Sequence, residues 1–248
     1  MDFFLAISLV LTALGPVGAN LGWVSPYLGF LLFAAGILLA AILFFPAMIE
    51  FFRMGFRHAP KYILLIGLSA LIVVGYSVKL IVENPVNDVS TMGANTAGLT
   101  FTAKSYRVPL VENTNSNNPE FLYDKSLDPA KAMHVPLAYP DLKPLRFAEP
   151  LDFVYVKIRE EVKKLPRDWK YVVANDASRT VELEKQSKVF RFVDDVIIEV
   201  KQLGDDPKKS EVHIRSKSRY GKSDLGGNRQ NIEALKFYIS GIAVKLQE

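Results

Sequence analysis

The 248-residue chain is half hydrophobic, carries a formal net charge of +4 and contains no cysteine. Disulfides, zinc-thiolate sites and thiol nucleophiles are therefore excluded, and the modest, dispersed charge argues against a nucleic-acid surface. Charge is also unevenly placed: before Glu83 the only charged residues are Asp2, Glu50, Arg53, Arg57, Lys61 and Lys79, whereas later they are dense and mixed.

Three apolar segments are long enough to cross a bilayer: Phe3 to Val24, Tyr27 to about Phe45, and Tyr62 to Val82. The first is read as a span rather than a signal peptide. Although Val17-Gly18-Ala19 resembles a cleavage site, its start carries Asp2 and no Lys or Arg. Arg53, Arg57, His58 and Lys61 between the second and third spans place that loop in the cytoplasm. Everything after Val82 is then expected outside the cytoplasm, in the periplasm of a bacterium whose inner membrane holds the spans. Trp23, Tyr27 and Tyr62 fit interfacial aromatic belts.

Pro46 stands between the second apolar run and Met48 to Arg57. Met48 to Arg57 then reads either as an interfacial segment or as the frayed end of the span with a basic anchor. Gly36, Ala40 and Ala41 in the second span, with Gly67, Ala70 and Gly75 in the third, permit close helix contact, among the spans themselves or with another membrane protein. Lys79 is expected to snorkel.

The domain organisation read from these shifts is a three-helix membrane region over 1–83, an extended proline- and asparagine-rich linker over 84–138, and an extracytoplasmic α+β domain over 139–248. Within the linker Phe101 to Val111 could add a strand, and Leu142 to Phe147 another after it. A helix starts near Pro150, buries Leu151, Val154, Tyr155, Ile158, Val162 and Leu165, and ends at Pro166. Four strands follow, Trp169 to Asn175, Thr180 to Gln186, Val189 to Leu203 and Glu211 to Arg219, joined by short turns as an antiparallel meander. The last helix, from about Leu225, carries Asn228, Ile232, Leu235, Ile239, Ile242 and Leu246 on one face. The expected fold is thus an antiparallel sheet of four to five strands with two helices on one face. The space between the layers is either packed core, the better expectation, or a ligand cleft.

Arg215 to Arg229 concentrates basic side chains, hydroxyls and glycines at a strand-to-helix junction. His213, Arg215, Lys217 and Arg219 share one strand face and lead to Gly221, Gly226 and Gly227, where free helix N–H groups favour an anion. Ser223 or Asp224 could instead fill those donors as a cap. Candidate ligand residues are Arg215, Lys217, Arg219, Lys222, Ser223, Gly226 and Asn228. In the preceding strand Asp194 shares a face with Phe190, Phe192 and Val196, so it needs a bulge or an ion pair with Arg215 or Arg219. Its neighbour Asp195 points the other way, so the two carboxylates do not form a catalytic pair. A Ser-His-Asp set can be assembled from Ser216, Ser218 or Ser223 with His134 or His213 and Asp224, but no nucleophile-elbow pattern supports it. With so few histidines, neither a metal site nor a catalytic residue is assigned, and no cofactor is expected.

Asn84-Pro85-Val86-Asn87-Asp88-Val89-Ser90-Thr91, Tyr139-Pro140-Asp141-Leu142-Lys143-Pro144-Leu145, Phe190 to Val196, and Arg215 to Arg219 with Ser223-Asp224-Leu225-Gly226 and Asn228 resemble the domain of unknown function 1499 family. The apolar N-terminus is similar to that of its membrane-anchored members. The resemblance marks Asn87, Asp88, Asp194, Asp195 and Asp224 as structural-motif positions and implies no activity. The function expected is a non-enzymatic, membrane-anchored binding or assembly module, an accessory subunit of a larger complex, whose partners are the lipid bilayer and other membrane protein subunits. The alternative is a binder of lipid or a small anionic ligand, with a headgroup at the junction and an apolar tail in the cleft. A hydrolase ranks last.

Overall fold

The structure is a computed structural model and describes residues 2–55, 61–84, 88–91, 139, 141–219 and 223–244. Two compact units divide the chain: Met1–Val82 with Ser187–Phe192, and Glu83–Gln186 with Val193–Glu248.

The first unit holds α1 (Asp2–Asn20), α2 (Pro26–Met54) and most of α3 (Lys61–Glu83), each long and apolar enough to cross a membrane. Ser25 caps α2, its hydroxyl accepting from Leu28 N at 3.2 Å, and Pro26 opens the first turn. Glycine lets α1 and α2 touch backbone to backbone: a Cβ added at Gly29 would lie 2.6 Å from the Gly15 carbonyl oxygen. Ser8 donates to the Gly36 carbonyl at 2.9 Å, tying the same pair of helices. Gly67 and Ala70 of α3 meet α2 around Ala40, Ala41 and Phe44. Packing among the spans therefore accounts for Gly36, Ala40, Ala41, Gly67 and Ala70. No atom lies within 4 Å of the Cβ position at Gly75, which faces outward.

Two expectations need correction here. α1 stops at Asn20, because the chain turns through Gly22 at φ 74° before Ser25. The second span, read to about Phe45, continues as helix through Pro46: α2 runs for 29 residues to Met54, where Gly55 at φ 73° ends it. Buried Leu43 and Ala47 hold the helix together across the missing N–H. At about 43 Å α2 is longer than a hydrocarbon core of about 30 Å by more than a turn.

In the second unit a six-stranded antiparallel sheet runs β3 (Trp169–Asn175), β4 (Thr180–Gln186), β5 (Val193–Leu203) and β6 (Asp206–Ser218) as the expected meander. The outer edge of β6 is then covered end to end by two short strands. β1 (Asp88–Ser90) pairs with Arg215–Lys217, and β2 (Leu145–Phe147) pairs with Ser210–Val212. β1 comes from the head of the stretch read as linker. The strand expected at Phe101 to Val111 lies outside the described residues, as do Asn87, His134, Leu246 and Lys222.

α4 (Leu151–Glu161), extended by a 3-10 turn at Val162–Lys164, and α5 (Gly227–Val244) pack on one face of the sheet. Val154, Tyr155, Ile158 and Val162 interlock with Ile232, Leu235 and Ile239 and with Val196, Ile198, Val212 and Ile214; each is at most 2% exposed. The space between the layers is thus filled core, each large aliphatic side chain contributing about 1.5–3 kcal/mol by leaving water.

β5 begins at Val193 rather than Val189. Arg191 adopts φ 62° and its N–H donates to the Ser187 carbonyl, which curls the chain before the ladder starts. Phe190 and Phe192 therefore do not share the sheet face of Asp194. α5 likewise begins at Gly227, since Leu225 and Gly226 hold φ 56° and 88° and cannot be helical.

Candidate functional site

Alternation along β6 puts Val212, Ile214, Ser216 and Ser218 on the helix-covered face and His213, Arg215 and Lys217 on the other. β5, paired in register, alternates likewise: Asp194 lies opposite Ser218, and Asp195 opposite Lys217. Two adjacent carboxylates thus enter two different environments.

On the helix side, Asp194 accepts from the Ser218 hydroxyl at 2.6 Å and from the Asn231 amide at 2.8 Å. Asn231 also reaches the Ser216 hydroxyl at 3.1 Å. Ser216 donates to Asn228 Oδ1 at 2.6 Å, and Asn228 Nδ2 returns to Ser218 at 3.0 Å. The five side chains close a ring of hydrogen bonds at the end of the apolar core. Burial pushes the Asp194 carboxyl above its ordinary range, against the pull of Ser218 and Asn231. Its partners are therefore neutral donors, not the Arg215 or Arg219 expected from the sequence, because both arginines leave the strand on the opposite face.

On that opposite face Asp195 takes the arginine. The Arg219 guanidinium grips both its oxygens, Nη2 to Oδ1 at 2.7 Å and Nε to Oδ2 at 3.2 Å, and reaches Glu184 Oε1 at 2.7 Å. Burial lifts Asp195 to about 7 in spite of Arg219. Burial also works to lower Arg219, but Asp195 and Glu184 outweigh it and hold the guanidinium above its usual value. The bidentate geometry is that of an ion pair. Across the same face the strands alternate in sign. Lys217 pairs in register with Asp195 of β5, and Arg215 follows Glu182 and Ile197 in the next rung. Arg215 and Lys217 are 4% and 5% exposed, so the basic stripe is buried and not a solvated face.

The junction after β6 is occupied from within. Asp224 accepts from Gly226 N at 2.9 Å and from Asn228 N, and its carbonyl accepts from Gly227 N at 3.0 Å. Three donors at the helix start, the N–H groups of Gly226, Gly227 and Asn228, are thereby taken by Asp224, as a cap does. Burial raises Asp224 to about 6. Ser223 donates to the Asn84 carbonyl at 2.6 Å, while the Tyr139 hydroxyl donates to Asn84 Oδ1 at 2.6 Å. Arg229 stacks 5.1 Å from the Tyr139 ring centre and pairs with Asp141 at 2.6 Å. Residues from three separated stretches of sequence, Asn84, Tyr139 with Asp141, and Ser223 to Arg229, thus meet here.

The Ser-His-Asp reading does not assemble among the described residues. His213 occupies the face opposite Ser216 and Ser218, and Ser223 is committed to Asn84. Sequence reasoning missed Asn231 and Glu184. Asn231 sits three residues after Asn228 on the same helical face, a spacing that could have revealed it. Glu184 had only its alternation with Leu183 to mark it.

A family model described as a protein of unknown function (DUF1499) matches residues 89–237. No curated protein and no solved structure matches.

Proposed function

We propose for this chain, which belongs to DUF1499, a family of proteins of unknown function, the role of a membrane-anchored extracytoplasmic binding or assembly module, an accessory subunit of a larger membrane protein complex. The observation that carries this reading is the internal satisfaction of the motif residues. Asp224 takes the helix-start donors, Arg219 is shared by Asp195 and Glu184, and the layer between sheet and helices is packed aliphatic core. Such an arrangement builds a rigid recognition domain. It weighs against the ligand-binding alternative, whose headgroup would have to displace a buried carboxylate and whose tail would have to displace core.

The orientation in this reading follows from Arg53, Arg57 and Lys61, which favour the cytoplasmic side for the α2–α3 connection and the outer side for the second unit. α3 supports a partner within the membrane as well. Its buried residues Ile63, Gly67 and Ala70 lie in its first half, leaving Gly75, Tyr76 and Val78 facing outward. Gentle detergent extraction of membranes at native expression, followed by native electrophoresis, should show the chain migrating with other proteins. Migration as a free monomer would overturn the proposal.

A further inference from the structure

Ser187–Phe192 connects β4 to β5 in sequence, yet in space it belongs to the same compact unit as the three apolar helices. Its turn is built tightly: Phe192 N donates to the Ser187 hydroxyl at 2.9 Å, and Ser187 N donates to the Phe192 carbonyl at 2.7 Å. That closure projects Val189 and Phe190 as a tip with Lys188 and Arg191 beside them. The Phe190 ring centre lies 5.7 Å from that of Phe30 and 5.5 Å from that of Phe33, while Phe192 lies 6.1 Å from Phe30. Polar contacts fix the height of the tip against the end of α1: Arg191 Nη1 donates to the Asn20 carbonyl at 3.2 Å, and the Asn20 amide donates to the Val189 carbonyl.

These contacts define a depth. Phe30 and Phe33 stand about one and two turns into α2 from Pro26, below the level of Trp23 and Tyr27, which are 69% and 51% exposed and suited to the headgroup zone. An apolar tip at that depth meets acyl chains rather than water. Val189 is 54% exposed, so its side chain is available to acyl chains at that depth.

We propose that Ser187–Phe192 is a lipid-contacting wedge, with Val189 and Phe190 entering the outer interface of the bilayer and Lys188 and Arg191 lying at the level of the phospholipid phosphates. The occupant of this surface is the bilayer, because the tip is continuous with helices that the same bilayer would surround. Aromatic and aliphatic side chains supply the buried area and flanking cations supply attraction to anionic headgroups, the combination that holds elements in an interface. The proposal rests on the membrane-anchored reading.

The absence of cysteine makes the full chain a ready background for single-site labelling. An environment-sensitive fluorophore is placed at Val189→Cys, at Leu38→Cys on the outward face of α2, and at Lys208→Cys, an exposed position near the start of β6. Each full-length variant is reconstituted in nanodiscs of phosphatidylcholine and phosphatidylglycerol, with or without shallow and deep nitroxide lipids. The wedge predicts that emission at position 189 falls about twofold with the shallow nitroxide, as suits an element buried about 5–10 Å into the interface, and resists aqueous iodide. The position 208 probe should be quenched by iodide alone, and the position 38 probe by nitroxide lipid.

A position 189 probe quenched by iodide like that at 208 overturns the wedge and leaves the spans intact. A probe shielded from both quenchers also overturns it, showing a protein surface over the tip. Should the position 38 probe escape nitroxide quenching, the spanning reading fails and the wedge with it.

Discussion

The two faces of the sheet at the end of β5 and β6 bury polar groups by opposite means. On the helix side Asp194 is held by the neutral donors Ser218 and Asn231, within a ring completed by Ser216 and Asn228. On the far side Asp195 is held by a cation, Arg219, which it shares with Glu184. A hydrogen-bonded ring tolerates the loss of one member better than an ion pair does, because each remaining group keeps a neighbour of no net charge. The pair fixes its geometry more sharply and fails harder, since removing one partner strands a buried charge. Adjacent carboxylates on one strand are thus fixed by opposite means, one by neutral donors and one by a guanidinium.

The largest expected effect tests that asymmetry directly. Arg219→Ala removes the guanidinium that Asp195 and Glu184 share, leaving Lys170 on Glu184 at 3.1 Å, and should destabilise the second unit by about 3–5 kcal/mol. Thermal unfolding of the detergent-solubilised full chain, followed by circular dichroism, should show a much lower midpoint or no cooperative transition. An Arg219→Ala protein as stable as the parent would mean that the two faces are equivalent.

Next comes pH. The folded-state carboxyl of Asp224 is raised to about 6 by burial, from an ordinary value near 3.8. A carboxyl raised on folding keeps its proton where the unfolded chain has released it, so its contribution is fully present below about pH 4 and is lost as pH rises to about 6, with at most about 3 kcal/mol at stake. Asp195, lifted to about 7, acts with the same sign, tempered by Arg219. Denaturant unfolding of Asp224→Asn should therefore show a shallower fall in stability between pH 4 and 7 than the parent. Parallel profiles for the two proteins would remove Asp224 as the source.

A smaller effect is expected on the helix side. Asn231→Leu removes donors from Asp194 and Ser216 and should cost about 1–3 kcal/mol, less than Arg219→Ala in the same unfolding measurement. If the two costs came out reversed, the ring rather than the ion pair would be the stricter element.

Much of this architecture was legible in the sequence because it rests on period. The stripe from Val154 to Val162 and the stripe from Asn228 to Ile239 follow directly from apolar spacing and have the burial it predicts; the alternation of β6 places its apolar face correctly, but its basic face is buried as well. What escaped depended on backbone sign and on pairing between distant segments. No pattern announces that Arg191 or Leu225 takes positive φ, so β5 and α5 were started too early. Nor could local spacing show that β1 and β2 would share the edge of β6, since strands of three residues carry almost no periodic signal. The junction was recognised as a unit, but its electrostatics were not. A basic stripe looks like an anion site until the acidic rungs on either side are known, and those come from register, which one strand does not contain.

Gly226 joins the two faces and gives the most limited test of the comparison. It stands at φ 88° between the Asp224 cap and the first turn of α5, and a Cβ there would lie 2.9 Å from Asn84 Oδ1. Asn84 is in turn held by Tyr139 and Ser223. Gly226→Ala must therefore pay for a left-handed alanine, about 1–2 kcal/mol, and must also shift the Asn84 side chain. The side chain can yield by a few tenths of an ångström only by lengthening its bond to the Tyr139 hydroxyl. Unfolding midpoints of Gly226→Ala alone and with Tyr139→Phe separate the two contributions. Backbone strain alone predicts additive losses, whereas strain relayed through Asn84 predicts that the double variant loses less than the sum, because the contact being forced has already been released.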